Sequence, residues 1–257
     1  MNGDTKQFIA GAASTDITPK SSLHLAGYPF AERNSVGTHD PLLSSALYLS
    51  DGQTSTLLIA NDVIFVSKSS VNRVRSAIAA KINIPPSHIL ISATHTHSGP
   101  STVNFTAGSK DPLLPPVDEP YVRFMEEGMI VAAFRAYQNA QTAEIGLTIA
   151  DATGIGTNRH DPSGPADLDV PVLVVRNKQS RQSIACMLVC CMHPTVLHED
   201  SKYYSGDFPG IARGIIQKEI LQTECPVLYH TGPAGNQSPR HVTKENTIQE
   251  AHRIASI

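Results

Sequence analysis

Strand-like apolar runs alternate with helical periods along this chain, and that alternation limits the possible folds more than any other feature. Residues 55–60 (Ser-Thr-Leu-Leu-Ile-Ala) form a short apolar run suited to a buried strand. Val71, Val74, Ile78 and Ile82 then recur at helical spacing until Pro85 and Pro86, which cannot continue a helix. Residues 88–93 are strand-like again. Strand, helix, strand in so few residues is a βαβ unit, which predicts parallel pairing and a right-handed crossover.

The second half repeats the order. Residues 183–192 are strand-like, residues 208–221 are helical with Ile211, Ile215, Ile216 and Ile220 on one side, and residues 226–229 are strand-like. Between the halves, Glu119-Pro120 opens a long helix whose apolar stripe is Tyr121, Met125, Met129, Ala132 and Ala136. Residues 142–150 and 170–175 are further strand candidates, and residues 247–257 read as a helix. The expected fold is therefore α/β: a mostly parallel mixed sheet built from two βαβ units, with helices on its faces. No low-complexity linker or charge block divides the chain, so residues 1–257 read as one domain.

Polar clusters lie just past the strands. Asn61-Asp62, then residues 94–100 (Thr-His-Thr-His-Ser-Gly-Pro), His193-Pro194-Thr195 and residues 232–239 each sit beyond a strand end. Ligands of open parallel sheets bind outside the carboxyl ends of the strands. Four polar clusters at such ends predict one shared site.

Composition narrows the chemistry of that site. Lys and Arg total 20 against 23 Asp and Glu, a formal charge of −3, which gives no electrostatic footprint for nucleic acid. There are 11 histidines, and imidazole serves both metal ligation and proton transfer. Cys186, Cys190, Cys191 and Cys225 form no Cys-x-x-Cys pair and read as small buried hydrophobes. No apolar stretch reaches transmembrane length, and residues 1–7 carry no signal-peptide core. Taken as it stands the chain reads as cytoplasmic; a mature amino terminus would look the same and would place it in the periplasm or outside the cell.

Among the histidines, His95 and His97 stand at i and i+2. In extended backbone both rings project to one face, so one metal or one substrate group can meet both. His193, at the same expected sheet edge, is either a satisfied core residue or a further ligand, and His198, Glu199 and Asp200 are alternative ligands or solvated loop residues. Arg159, among turn residues, is either a surface group or a donor to a carbonyl or carboxylate. Ser238 is a nucleophile, a hydrogen-bond donor or a turn residue. The loop around it carries no Gly-x-Gly phosphate cradle.

In this order, residues 92–100 (Ser-Ala-Thr-His-Thr-His-Ser-Gly-Pro), Asn158-Arg159, His193-Pro194-Thr195 and residues 235–239 (Gly-Asn-Gln-Ser-Pro) resemble the neutral/alkaline, non-lysosomal ceramidase family. Residues 11–19 and 25–28 (Leu-Ala-Gly-Tyr) are similar to that family's amino-terminal stretch. The resemblance implies a zinc-dependent amidase that cleaves the N-acyl bond of ceramide, or of another small-molecule or lipid amide. It implies His95 and His193 as zinc ligands, and His97 and Arg159 as contacts to the substrate carbonyl or its oxyanion. Ser238 would be nucleophile or substrate contact. It further implies a glutamate and a tyrosine ligand beyond residue 257, so residues 1–257 are expected to be a catalytic domain cut short at its carboxyl end. Two departures stand out. Asn158-Arg159 continues as His160-Asp161-Pro162 where the family has Ser-Pro, and residues 205–210 (Ser-Gly-Asp-Phe-Pro-Gly) with His39-Asp40-Pro41 are closer to the shorter bacterial relatives. The rival expectations are a metal-independent serine hydrolase using Ser238 with His97 or His193 as base, and a catalytically incomplete, ligand-binding relative. Oligomeric state is open.

Overall fold

A computed structural model describes residues 7–104 and 115–257. Its strands are β1 (Ile9–Asp16), β2 (Gly37–Thr38), β3 (Leu43–Ser50), β4 (Ser55–Asn61), β5 (Ile89–Ala93) and β6 (Gln141–Asp151). They continue with β7 (Thr157–Asn158), β8 (Asp169–Asn177), β9 (Ser183–Cys190), β10 (Tyr203–Tyr204), β11 (Val227–Thr231) and β12 (Gln237–Ser238). The helices are α1 (Lys68–Lys81), α2 (Glu119–Gln138), α3 (Asp207–Ile215) and α4 (Ile248–Ala255), and a π-helical turn, Ile216–Leu221, extends α3.

Eight strands form one sheet in the order β11-β9-β8-β6-β1-β3-β4-β5. Both expected βαβ units are present: β4 and β5 pair in parallel across α1, and β9 and β11 across α3. The rest of the sheet corrects the expectation. The pairs β9–β8, β8–β6, β6–β1, β1–β3 and β3–β4 are all antiparallel, so the sheet is mixed but mostly antiparallel. The cause is connection length, because a parallel crossover needs a long return whereas a tight turn makes neighbours antiparallel. The β3–β4 turn is closed by Asp51, whose carboxylate accepts the Gln53 and Thr54 N–H groups. The β8–β9 turn is closed by Asn177 in the same way, with Arg181 in the left-handed region at φ 63°.

The two halves share one plan. Strands β1, β3, β4, helix α1 and strand β5 have the pairing senses of β6, β8, β9, α3 and β11. Among the described residues, the ladder between them is a short β1–β6 pairing at Ile9–Thr142 and Ala10–Gln141. That narrow seam lets the sheet fold back on itself, so that β11 at one edge lies against β3, β4 and β5.

The fold creates three apolar clusters. The inner one, between the half-sheets, holds Ala10, Ala12, Leu47, Ala60, Leu173, Ala185 and Leu228. A second seals α1 and α2 onto the first half through Val74, Ile78, Met125, Met129, Leu57 and Ile59. A third seals α3 and α4 onto the second through Phe208, Ile211, Ile254, Leu188 and Tyr229. The layers are helix, sheet, sheet, helix. Strand β1 is covered on both faces, which explains its small residues. A Cβ on Gly11 would stand 2.2 Å from the Ala136 carbonyl oxygen of α2. Among the described residues no helix is long and apolar enough to cross a membrane.

Candidate metal centre

Folding the sheet over brings the carboxyl end of β5, from the first half, against those of β9 and β11, from the second. His95 lies just past β5 and His193 just past β9, and their Nε2 atoms stand 3.0 Å apart. The ring of His97 lies 5.0 Å from that of His95 and 5.3 Å from that of His193, between centroids. One ligand nitrogen from each of the three lies within 4.8 Å of the other two. The extended His-x-His geometry expected from sequence is not what achieves this. His95 sits at φ 65°, in the left-handed region that non-glycine residues enter at a cost and that clusters at functional sites. The Val63 carbonyl accepts its backbone N–H at 3.1 Å, and the two rings converge through this kink.

The partners fix the tautomers. His95 Nδ1 donates to the Ile64 carbonyl and His193 Nδ1 to the Ala234 carbonyl, each at 2.9 Å. A carbonyl can only accept, so in the neutral rings both Nε2 atoms are bare lone pairs, pointed at each other. A shared proton or a cation must occupy that gap. Burial works against the proton, since desolvation pushes the His95 and His193 pKa values down, with the Arg159 charge adding to the effect. A cation fits. Two nitrogens held about 2.1 Å from a tetrahedral zinc ion stand roughly 3.4 Å apart, and metal-bound histidines characteristically donate their second N–H to a carbonyl. His97 differs, because both its ring nitrogens are sealed from solvent without a partner, and burial drives its pKa down to about 3. Orphaned buried nitrogens of this kind are costly unless an ion or ligand meets them. The donor set therefore suits a borderline metal such as zinc.

A model of the family described as neutral/alkaline non-lysosomal ceramidase, N-terminal, matches residues 8–231. The chain belongs to this ceramidase family. Two solved structures share its fold. A ceramidase complexed with C2 superposes with a TM-score of 0.85 at 17% identity, covering 97% of this chain and 42% of that one. The neutral ceramidase from Pseudomonas aeruginosa gives 0.84 at 17% identity, covering 98% and 44%. The chain thus spans less than half the length of these two proteins.

The other family positions lie at β7 and β12, where the Gln237 carbonyl, next to Ser238, accepts the His193 N–H at 3.0 Å. Arg159 lies just past β7, and its charge depresses all three histidine pKa values, which places its guanidinium in their field. Ser238 lies in β12, which pairs antiparallel with β7. Its buried Oγ accepts the Arg240 N–H at 3.3 Å, while His97 bonds to nothing, His193 Nδ1 is held by the Ala234 carbonyl and His193 Nε2 faces His95. The Ser–His pair of a serine hydrolase is not formed here. His198 stacks on Tyr28 and pairs with Glu199, both at the surface. Asp62, in one of the four polar clusters, engages its carboxylate in a buried bidentate ion pair with Arg213 at 2.7 and 2.6 Å.

Four supporting residues had no assigned role in the sequence. Arg33, fully buried, donates to the His97 carbonyl at 2.8 Å and to the Ala26 and Ser201 carbonyls. Gly27, at φ 102°, lets the backbone approach the His97 ring, where a Cβ would stand 2.5 Å from Cγ and Nδ1. Tyr28 packs edge-on to the same ring at 5.2 Å. Asp207, fully buried, accepts the Leu197 and Phe208 N–H groups and so fixes the turn after His193. Burial raises its pKa to about 6. The Leu-Ala-Gly-Tyr and Ser-Gly-Asp-Phe-Pro-Gly stretches carry three of these four residues, so the family motifs were the available signal.

Proposed function

We propose that this chain carries the histidine part of a zinc-dependent hydrolase centre that cleaves the N-acyl amide bond of ceramide-type lipids to a fatty acid and a long-chain amino alcohol. One observation supports it above the others: the bare Nε2 atoms of His95 and His193 face each other at 3.0 Å, each with its Nδ1 anchored on a carbonyl. Family membership supports the substrate class.

In this reading His95 and His193 hold the metal, and the family pattern places a glutamate and a tyrosine ligand beyond residue 257. The zinc ion, when bound, supplies Lewis acidity toward water and the acyl carbonyl. His97 has no carbonyl anchor of the kind the two ligands have, so it is assigned to the substrate. As a neutral imidazole it donates one N–H to the acyl oxygen, where negative charge develops. Arg159 supplies a fixed positive charge to the same oxygen. Ser238 Oγ accepts from the Arg240 N–H, and its O–H remains a donor for the substrate. Water adds across the C–N bond: its hydroxyl goes to the acyl carbon and its proton to the leaving nitrogen.

Elemental analysis of the purified protein, combined with hydrolysis assays on short- and long-chain N-acyl sphingoid bases, tests this. The expected result is about one zinc per chain, lost in His95→Ala and His193→Ala. Full amidase activity in metal-free protein would overturn it.

A further inference from the structure

Two hydrogen bonds cross the interior between β5 and β11, and neither belongs to a strand ladder. Ser92 Oγ meets His230 Nδ1 at 2.7 Å, and Thr231 Oγ1 donates to the Thr94 carbonyl at 2.6 Å. Strands β5 and β11 stand at opposite edges of the sheet and come from different halves of the chain. They meet only because the sheet folds over.

The residues just past each strand give these bonds their importance. Thr94 directly precedes His95. Thr231 precedes Ala234 by three residues, and the Ala234 carbonyl is the anchor of His193 Nδ1. The cross-links therefore tie the segment that carries one facing imidazole to the segment that aims the other. The half-sheets pair strand to strand at β1–β6, far along the strand order, so side-chain bonds join them at this end; Thr96 Oγ1, which donates to the Ser205 carbonyl at 2.8 Å, is another. His230 is itself 5% exposed, with no partner for its Nε2. A polar side chain retained there, among the small apolar residues of the inner core, is costly unless its position is needed.

We propose that Ser92, His230 and Thr231 form a clamp that sets the spacing of His95 and His193, making them positioning residues of the metal centre. The metal-binding consequence rests on the reading of those two histidines as ligands; the spacing itself does not. Partners that orient ligands in this way typically govern metal affinity by about 10–100-fold.

The test compares Thr231→Val, which keeps shape and loses the hydroxyl, with Ser92→Ala and with Thr231→Ser, which keeps the hydroxyl. Two readouts are taken on each. One is the zinc dissociation constant from competition with a chromophoric chelator. The other, on metal-free protein, is the nuclear Overhauser contact between the His95 and His193 ring protons. Thr231→Val and Ser92→Ala are expected to bind zinc about 10–100-fold more weakly and to lose the ring–ring contact. Thr231→Ser should match the wild type in both. Lower thermal stability with unchanged affinity and an unchanged ring contact would overturn the clamp and leave a packing role. If Thr231→Val does not fold, Ser92→Ala at the half-exposed end decides. A wild-type protein that binds no zinc refutes the metal reading alone, and the ring contact still decides the clamp.

Discussion

Replacing Gly27 by alanine isolates how the approach of one backbone segment shapes the centre. The added Cβ would stand 2.5 Å from His97 Cγ and Nδ1 and 2.6 Å from its Cβ. Non-bonded carbons rest at about 3.5–4.0 Å, so the ring must retreat by roughly 1 Å or the segment must shift by as much. Gly27 also lies at φ 102°, where an L side chain costs about 1–2 kcal/mol. Overpacking adds about 1–3 kcal/mol. The total, roughly 2–5 kcal/mol, corresponds in a chain of this size to a melting temperature lower by about 5–15 °C. Gly146→Ala is the control, since its Cβ meets nothing within 4 Å and no positive φ forbids it. Thermal unfolding of both variants, with the imidazole nitrogen resonances of His97 recorded alongside, gives the answer. A Gly27→Ala protein that melts with the wild type and leaves the His97 resonances in place would refute the argument.

Asp62→Asn should destabilise the protein by about 3–5 kcal/mol in urea unfolding while leaving zinc affinity intact, because it strands the buried Arg213 charge and touches no ligand. Zinc loss at unchanged stability would return Asp62 to the site. His97→Ala should keep its zinc and lose about 100–1000-fold in turnover, as for a deleted oxyanion donor; loss of the metal would make His97 a third ligand. Ser238→Ala should lower turnover without affecting chelator sensitivity, and chelator-resistant activity abolished by this change would establish the serine mechanism. Stability should also fall with acid through His230, whose pKa burial lowers to about 4. Its folded value lies below the unfolded one, near 6.5, so the unfolded state binds the extra proton between the two. The contribution is complete above about pH 6.5 and is lost as pH drops toward 4, on the order of 3 kcal/mol. His230→Asn should flatten that part of the stability profile, and an unchanged profile would show that other groups set it.

Legibility of the fold tracked hydrophobic contrast. Residues 55–60 and 183–192 stand out because Leu, Ile and Val are concentrated there, and both form strands within a few residues of where the pattern puts them. Strands β1 and β3 were not legible. Ile-Ala-Gly-Ala-Ala-Ser-Thr-Asp has almost no branched side chains, because β1 is pressed between α2 and the second half-sheet and has room only for small ones. Without those two strands the central antiparallel stretch was invisible, and two βαβ units suggested a parallel sheet. The turn chemistry at Asp51-Gly52 and at residues 177–181 was the overlooked sign of antiparallel neighbours.

The meeting of His95 and His193 was legible for a reason that survives that correction. His95 and His193 both lie past the carboxyl end of a strand that belongs to a parallel pair, and those strand ends were the part of the pattern read correctly. In a flat sheet of this strand order β5 and β9 would be six strand positions apart, roughly 28 Å at the usual spacing, and no metal could bridge them. Closure of the sheet on its inner core reduces that separation to 3.0 Å between nitrogens. The inner core of Ala10, Ala12, Leu47, Ala60 and Leu228 is thus a condition for the centre as much as the histidines are. Enlarging one of its alanines, Ala12→Val, should push the half-sheets apart and weaken zinc binding at a distance from every ligand. Normal zinc affinity in a folded Ala12→Val protein would show that the centre tolerates that separation and that closure alone does not set its geometry.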